Sequence, residues 1–214
     1  MPVTLVGAGS VARAALNSAL QLAPCLVAAD GGANVAIRAG HIPHRVIGDL
    51  DSVSARARAA VPATRFVHVA EQETTDFEKC LTRIDAPFIL GLGFAGPRAD
   101  HTLAMWNALV RHPGRRCLIL TSRDVAFAAP RRMALDLPVG TRVSLFPMAA
   151  VCAQATGLRW PVEGINFRPD GRVGTSNRAE GPIAFGFDAP GMLVILPRAA
   201  LPAAIAALRQ AVPW

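Results

Sequence analysis

The chain has 214 residues, 52% hydrophobic and 17% charged, a balance that builds a buried core and excludes a disordered polyelectrolyte. Its formal charge of +7 comes almost wholly from arginine, scattered in ones and twos such as Arg56/Arg58, Arg115/Arg116 and Arg131/Arg132. With only 6% aromatics and no tyrosine to interleave with it, that charge suits a small anionic ligand and not a nucleic-acid surface.

Short apolar runs alternate with helical patterns along the first half. Val3–Val6, Cys25–Ala29, Arg45–Ile47, Arg65–Val69, Phe88–Leu92 and Cys117–Thr121 read as strands. Between them Val11–Leu22, Ala33–Ala39, Asp76–Ile84 and His101–Arg111 read as helices, the third entered through a Thr75/Glu78 capping box and the fourth through Asp100 as N-cap. Such alternation predicts a mostly parallel sheet covered on both faces, with ligands at the carboxyl ends of its strands. After about Phe127 the pattern changes to short runs split by Pro, Gly and Asp: Met133–Leu137, Arg142–Phe146, Val151–Thr156, Gly164–Phe167, Ile183–Phe187 and Leu193–Leu196. These predict an antiparallel β-sandwich, with a hairpin turn at Asp188–Gly191 and a closing helix with Leu201, Ile205, Leu208 and Val212 on one face. The expected architecture is therefore α/β, a three-layer α/β/α domain over residues 1–128 followed by a β-sandwich domain over 129–214.

The longest uncharged stretches, Ala14–Ala29 and Val143–Leu158, are broken by proline and polar side chains, so no membrane span is expected. The first residues, Met1-Pro2-Val3, carry no basic segment, and a cytoplasmic location is expected. Cys25, Cys80, Cys117 and Cys152 form no Cys-x-x-Cys pair and read as isolated thiols.

Two sets of residues bear chemistry. Gly7-Ala8-Gly9-Ser10-Val11-Ala12 follows a strand and opens a helix, with Asp30 one unit downstream, close to a dinucleotide fingerprint and compatible with an NAD(P)-dependent oxidoreductase. That reading leaves Asp49, Asp51 and Asp76 unexplained. These carboxylates end two separate apolar runs and lie near Lys79, the chain's single lysine, in a pattern that suits a magnesium-bound nucleoside polyphosphate.

Six stretches in order resemble the thiamine pyrophosphokinase family: Ala29–Asn34, Gly48–Ser52, Gln72 with Thr75–Lys79, Arg98–Ala104, Gly157–Pro161 and Thr175–Asn177. The resemblance implies Mg2+-dependent transfer of the diphosphoryl group of ATP to the hydroxyl of thiamine, in a homodimer with active sites between subunits. It implies Asp49, Asp51 and Asp76 as magnesium ligands. Asp30, Gly31, Gly32 and Asn34 would shape the nucleotide site. Gln72, Thr75, Lys79 and Arg98 would surround the phosphates, and Trp160, Ser176 and Asn177 would form the thiamine pocket. His101 reads as a ligand contact, and Asp76 or Asp100 as the base that takes the alcohol proton. Three departures from the family pattern stand out: Glu71 where Asp is frequent, Met105 where Asn is usual, and Arg178 where an acid is common. A catalytically silent thiamine- or nucleotide-binding protein of the same fold is the third reading.

Overall fold

Runs of four or five aliphatic residues leave no polar face, so they are stable as strands only when both faces of a sheet are covered. The computed structural model, which describes residues 1–214, divides the chain into two units, Met1–Ala108 and Leu109–Trp214. The first unit runs β1 (Val3–Val6), α1 (Arg13–Leu22), β2 (Cys25–Ala29), α2 (Gly32–Arg38), β3 (Arg45–Gly48), α3 (Ala55–Ala60), β4 (Phe66–His68), α4 (Asp76–Arg83), β5 (Ile89–Leu92) and the start of α5 (Ala99–Arg111). Its strands are ordered β5-β1-β2-β3-β4 and every pair is parallel. All four residues of β1 are buried, as a central strand requires. Leu16 of α1, Val35 of α2 and Ala57 of α3 share one core cluster with Val6, Leu26 and Val46 of the sheet.

The predicted helices begin and end within two residues of those observed. Helix α3 was not expected, because Ala55-Arg56-Ala57-Arg58-Ala59-Ala60 buries only Ala57 and shows no apolar period. A cap makes it: the Ser54 hydroxyl accepts the Ala57 amide at 3.2 Å. Thr75 caps α4 as expected, its hydroxyl accepting the Glu78 amide at 3.3 Å. Asp100 is not an N-cap. The helix begins at Ala99, which puts Asp100 in the first turn, where its carboxylate is drawn to Arg98 instead.

The second unit contains β6 (Cys117–Leu120), β7 (Asp124–Ala128), β8 (Arg132–Leu135), β9 (Arg142–Pro147), β10 (Val151–Leu158), β11 (Asn166–Phe167), β12 (Gly174–Phe187), β13 (Met192–Pro197) and α6 (Leu201–Gln210). Its sheet pairs are antiparallel, with β6 on β7 and β7 on β13. The 14-residue β12 is shared between two sheets. Its first part pairs with β9, and its last part, from Ile183 on, lies between β8 and β10. This division corrects the predicted hairpin: β9 stands between β12 and β13, so Asp188–Gly191 carries the chain from one sheet to the other. The turn is held there by the Cys152 amide, which donates to Asp188 Oδ1 at 2.7 Å. No helix is long and apolar enough to cross a membrane.

Gly32, expected to serve a ligand, has a packing role instead: a Cβ there would lie 2.0 Å from the Val6 carbonyl oxygen. Helix α2 can approach β1 only without that atom. Gly32→Ala is expected to lower unfolding free energy by about 3 kcal/mol or more. Gly114→Ala, which meets nothing within 4 Å, should be near neutral, and urea titration of both variants checks the pair.

Candidate functional site

Because β1, β2, β3 and β5 are parallel, the loops that leave them open on one side of the sheet. Gly7, Asp30, Asp49 and Gly93 each follow a strand end there and line one cavity of about 570 Å3, a size usual for small-ligand sites. Thr75, Asp76, Phe77 and Lys79 at the start of α4 complete one wall, with Arg98, His101 and Met105 beyond.

Gly48 is what lets the acids converge, since a Cβ at that position would fall 2.7 Å from Asp30 Cβ and 3.3 Å from Asp76 Oδ1. Carboxylate oxygens of Asp30, Asp49 and Asp51 lie within 4.8 Å of one another. Asp30 is 2% exposed, holds a left-handed backbone (φ 42°), and its Oδ1 is buried without a hydrogen-bond partner. Leu50, between Asp49 and Asp51, is also left-handed (φ 68°). Such conformations are costly for residues with side chains and gather at functional sites.

Lys79 is 2% exposed and is the cluster's internal cation, its Nζ 3.4 Å from Asp49 Oδ2 and 3.6 Å from Asp76 Oδ1. Gln72 Nε2 donates to the same Asp49 oxygen at 3.0 Å. That hydrogen bond, aided by the Asp51 amide and Lys79, holds the Asp49 carboxyl below its ordinary range. Asp76 is pushed the other way, first by burial and then by the neighbouring Asp30 charge, with Lys79 only partly opposing them. Asp100, gripped by both nitrogens of the Arg98 fork at 3.2 and 2.7 Å, is lowered to about 2. Of the two carboxylates considered as a base, Asp76 has the higher proton affinity.

The donor set suits magnesium. It consists of hard carboxylate oxygens only, and one of them is buried and unpartnered. Asp30 belongs to this cluster as closely as Asp51 does, whereas the sequence pattern had grouped Asp49 and Asp51 with Asp76.

Of the residues expected at the nucleotide, Asp30, Gly31, Gln72, Thr75, Lys79, Arg98 and His101 line the cavity. Asn34 sits behind it, donating to the Ser52 carbonyl at 2.8 Å and accepting the Ser54 amide at 2.9 Å, and so braces the Asp49–Ser52 loop. Asp51 and Asp100 are exposed and lie outside the lining. The cavity also takes Gly9, Ser52, Thr74 and Phe94, which the motifs did not assign. Gly9 was legible in the glycine loop, but Phe94, edge-on to Phe77 at 4.9 Å, had no signal in the sequence. Glu71 shapes the adjoining loop, its carboxylate accepting the amides of Glu73 at 2.9 Å and Thr74 at 3.0 Å.

Trp160, Ser176 and Asn177 line a separate cavity of about 310 Å3 in the second unit, with Phe167 and Arg172. The Trp160 ring is half exposed, with the Arg159 guanidinium 5.1 Å from its centroid. Asn177 fixes the segment by two bonds to the Trp160 backbone, accepting its amide at 3.1 Å and donating to its carbonyl at 2.7 Å.

Together these features define the class: a parallel α/β ligand-binding unit with an acidic strand-end site, followed by an antiparallel β unit with its own cavity. Residues 16–119 match the family profile described as "Thiamin pyrophosphokinase, catalytic domain", and residues 131–191 match "Thiamin pyrophosphokinase, vitamin B1 binding domain". The chain belongs to the thiamin pyrophosphokinase family. It is 28% identical to thiamine pyrophosphokinase 1 of Oryza sativa subsp. japonica, over 72% of this chain and 71% of that one. To thiamin pyrophosphokinase 1 of Caenorhabditis elegans it is 25% identical, over 71% and 70%. The fold is that of the solved thiamin pyrophosphokinase of Candida albicans, with TM-score 0.77, 17% identity and coverage of 92% and 88%. The enzyme from Geobacillus thermodenitrificans gives a TM-score of 0.74 at 23% identity, covering 92% and 97%.

A carboxyl whose folded pKa lies above its unfolded value binds its proton more tightly when folded. Its contribution is most favourable below both values and is lost as pH rises from the ordinary 3.8 through the raised value. Asp76→Asn, which never ionises, is therefore expected to melt at a higher temperature than the parent at pH 7. The gap should close below about pH 4, where the parent Asp76 is protonated. Thermal melts across that range test it, and a more stable parent at pH 7 would show that the Lys79 ion pair outweighs burial.

Proposed function

We propose that this chain transfers the diphosphoryl group of ATP to the hydroxyethyl oxygen of thiamine, releasing AMP and thiamine diphosphate. The observation that carries the proposal is the convergence of Asp30, Asp49, Asp51 and Asp76 at the mouths of parallel strands, with Lys79 reaching two of them. Four like charges gathered without sufficient counter-charge call for a cation, and a polyphosphate calls for the same one. Asp49 and Asp51, with Asp30 and Asp76 beside them, would hold Mg2+, which when bound supplies charge neutralisation for phosphate oxygens.

The thiamine oxygen attacks the β-phosphorus, the bond from that phosphorus to the α,β-bridging oxygen breaks, and AMP leaves with the bridging electrons. The alcohol proton passes to a carboxylate, for which Asp76 is the better placed in proton affinity. Arg98 and His101 on the cavity wall bear on phosphate oxygens, and Gln72 holds Asp49 in place. Gly7 and Gly9 bring backbone to the cavity without side chains. The exposed Trp160 face, in the second cavity with Ser176 and Asn177, suits the aromatic and cationic rings of thiamine. The protein would act in the cytoplasm as a homodimer, the second unit of one copy serving the nucleotide of the other. The oxidoreductase reading fits less well, because the carboxylate cluster repels a pyrophosphate that brings no metal.

Incubation with ATP, thiamine and magnesium, with AMP and ADP resolved, tests the proposal. AMP and thiamine diphosphate are expected in equal amounts, abolished by chelation and reduced at least about 100-fold by Asp49→Asn. ADP in place of AMP would mean transfer of a single phosphoryl group. Saturable binding without product would favour the silent binding protein, for which Met105 in the cavity wall is the relevant departure.

A further inference from the structure

We infer that Ser144, on β9 beneath the second cavity, is a positioning residue that fixes the cavity's rim by completing a β-bulge. The inference rests on the reading of that cavity as the thiamine site.

Strand β12 pairs with β9 at Gly174↔Leu145 and again at Asn177↔Val143, so Thr175 and Ser176 together oppose the single residue Ser144. The extra residue is a bulge, which leaves one amide without a ladder partner and turns side chains to a new direction. Ser176 takes a left-handed backbone there, with φ 65°, a conformation that glycine adopts freely and serine only with help. Help comes from across the strands. The Ser176 amide donates to Ser144 Oγ at 3.0 Å, replacing the missing backbone acceptor. Ser144 is 4% exposed, and its hydroxyl oxygen also accepts Arg142 Nη1 at 3.3 Å. Arg142 is held in turn by Asp124 through Nη2.

A chain of polar contacts thus runs from Asp124 through Arg142 and Ser144 to the residue that lines the cavity beside Trp160 and Asn177. Without the Ser144 hydroxyl, a partly buried amide loses its acceptor and the left-handed residue its support. The bulge would then relax toward regular pairing. Because side chains alternate along a regular strand, losing the bulge would put Thr175 and Ser176 on opposite faces, so that both could no longer line the cavity as they do here.

The test uses the full chain. Ser144→Ala is expected to speed amide exchange at Ser176 at least about tenfold and to weaken thiamine binding roughly five- to tenfold. Thiamine KM should rise with kcat nearly unchanged, and affinity for a non-hydrolysable ATP analogue should stay at the parent value, which also reports an intact fold. Arg142→Met, a partly exposed change, should move both readouts the same way by less. Trp160→Ala, measured alongside, tests the underlying reading. If it weakens thiamine binding while Ser144→Ala leaves exchange or thiamine affinity unchanged, the positioning role is overturned and the site assignment stands. If neither substitution affects thiamine binding, the cavity is not the thiamine site and the inference falls with it.

Discussion

Electrostatic self-repulsion at the strand ends is the constraint around which the first unit is built. Two unit charges about 5 Å apart at an effective dielectric near 20 repel by roughly 3 kcal/mol, and several carboxylates meet at that spacing here. Lys79 answers part of this from within, buried and reaching both Asp49 and Asp76. The Gln72 amide answers another part. What is left over adds to burial in raising the proton affinity of Asp76, and Asp30 keeps one oxygen unpartnered. The unliganded site is therefore loaded against itself. A ligand that brings its own cations relieves the load, and binding gains what folding gave up.

The backbone is arranged to sustain that load. Asp30 and Leu50 hold left-handed conformations, Gly48 removes the one atom that would separate Asp30 from its neighbours, and Asn34 ties the acidic loop to α2 and the segment before α3. A lone lysine in a chain that otherwise uses arginine fits the same logic. The compact ammonium reaches two carboxylates in a space where a planar fork would demand a different geometry.

Much of this was legible in the sequence because its signals are local. Strand–helix alternation gave the first unit's strands and every α-helix but α3 to within two residues, and the Thr75/Glu78 pair marked the start of α4. The acidic motifs named residues that line the first cavity, among them Asp30, Gln72 and Lys79, and the later motifs named Trp160, Ser176 and Asn177 of the second. Signals failed where pairing is remote or the cue is a single atom. Helix α3 has only a serine cap and one buried alanine to announce it. The hairpin expected at Asp188 depended on which strand lies beside which, a fact no local pattern contains. Gly32 and Asn34 sat inside a motif and were read as ligand contacts, yet their work is against neighbouring backbone. A motif records that residues are needed together, without recording whether each faces the ligand or the scaffold.

The shared strand β12 has a consequence for how the second unit moves. Its first part belongs to one sheet and its last to another, and the cavity residues Gly174 to Asn177 lie in the first part, on backbone continuous with the last. Neither sheet can fray at that strand without disturbing the other's register. The Gly174–Asn177 side of the cavity is thus tied to both sheets, and opening it disturbs the pairing of each. Recognition on that side rests on side chains of a paired strand. Trp160 to Ile165, in contrast, come to the cavity on the connection between β10 and β11, where a change of length could alter acceptor preference without disturbing either sheet.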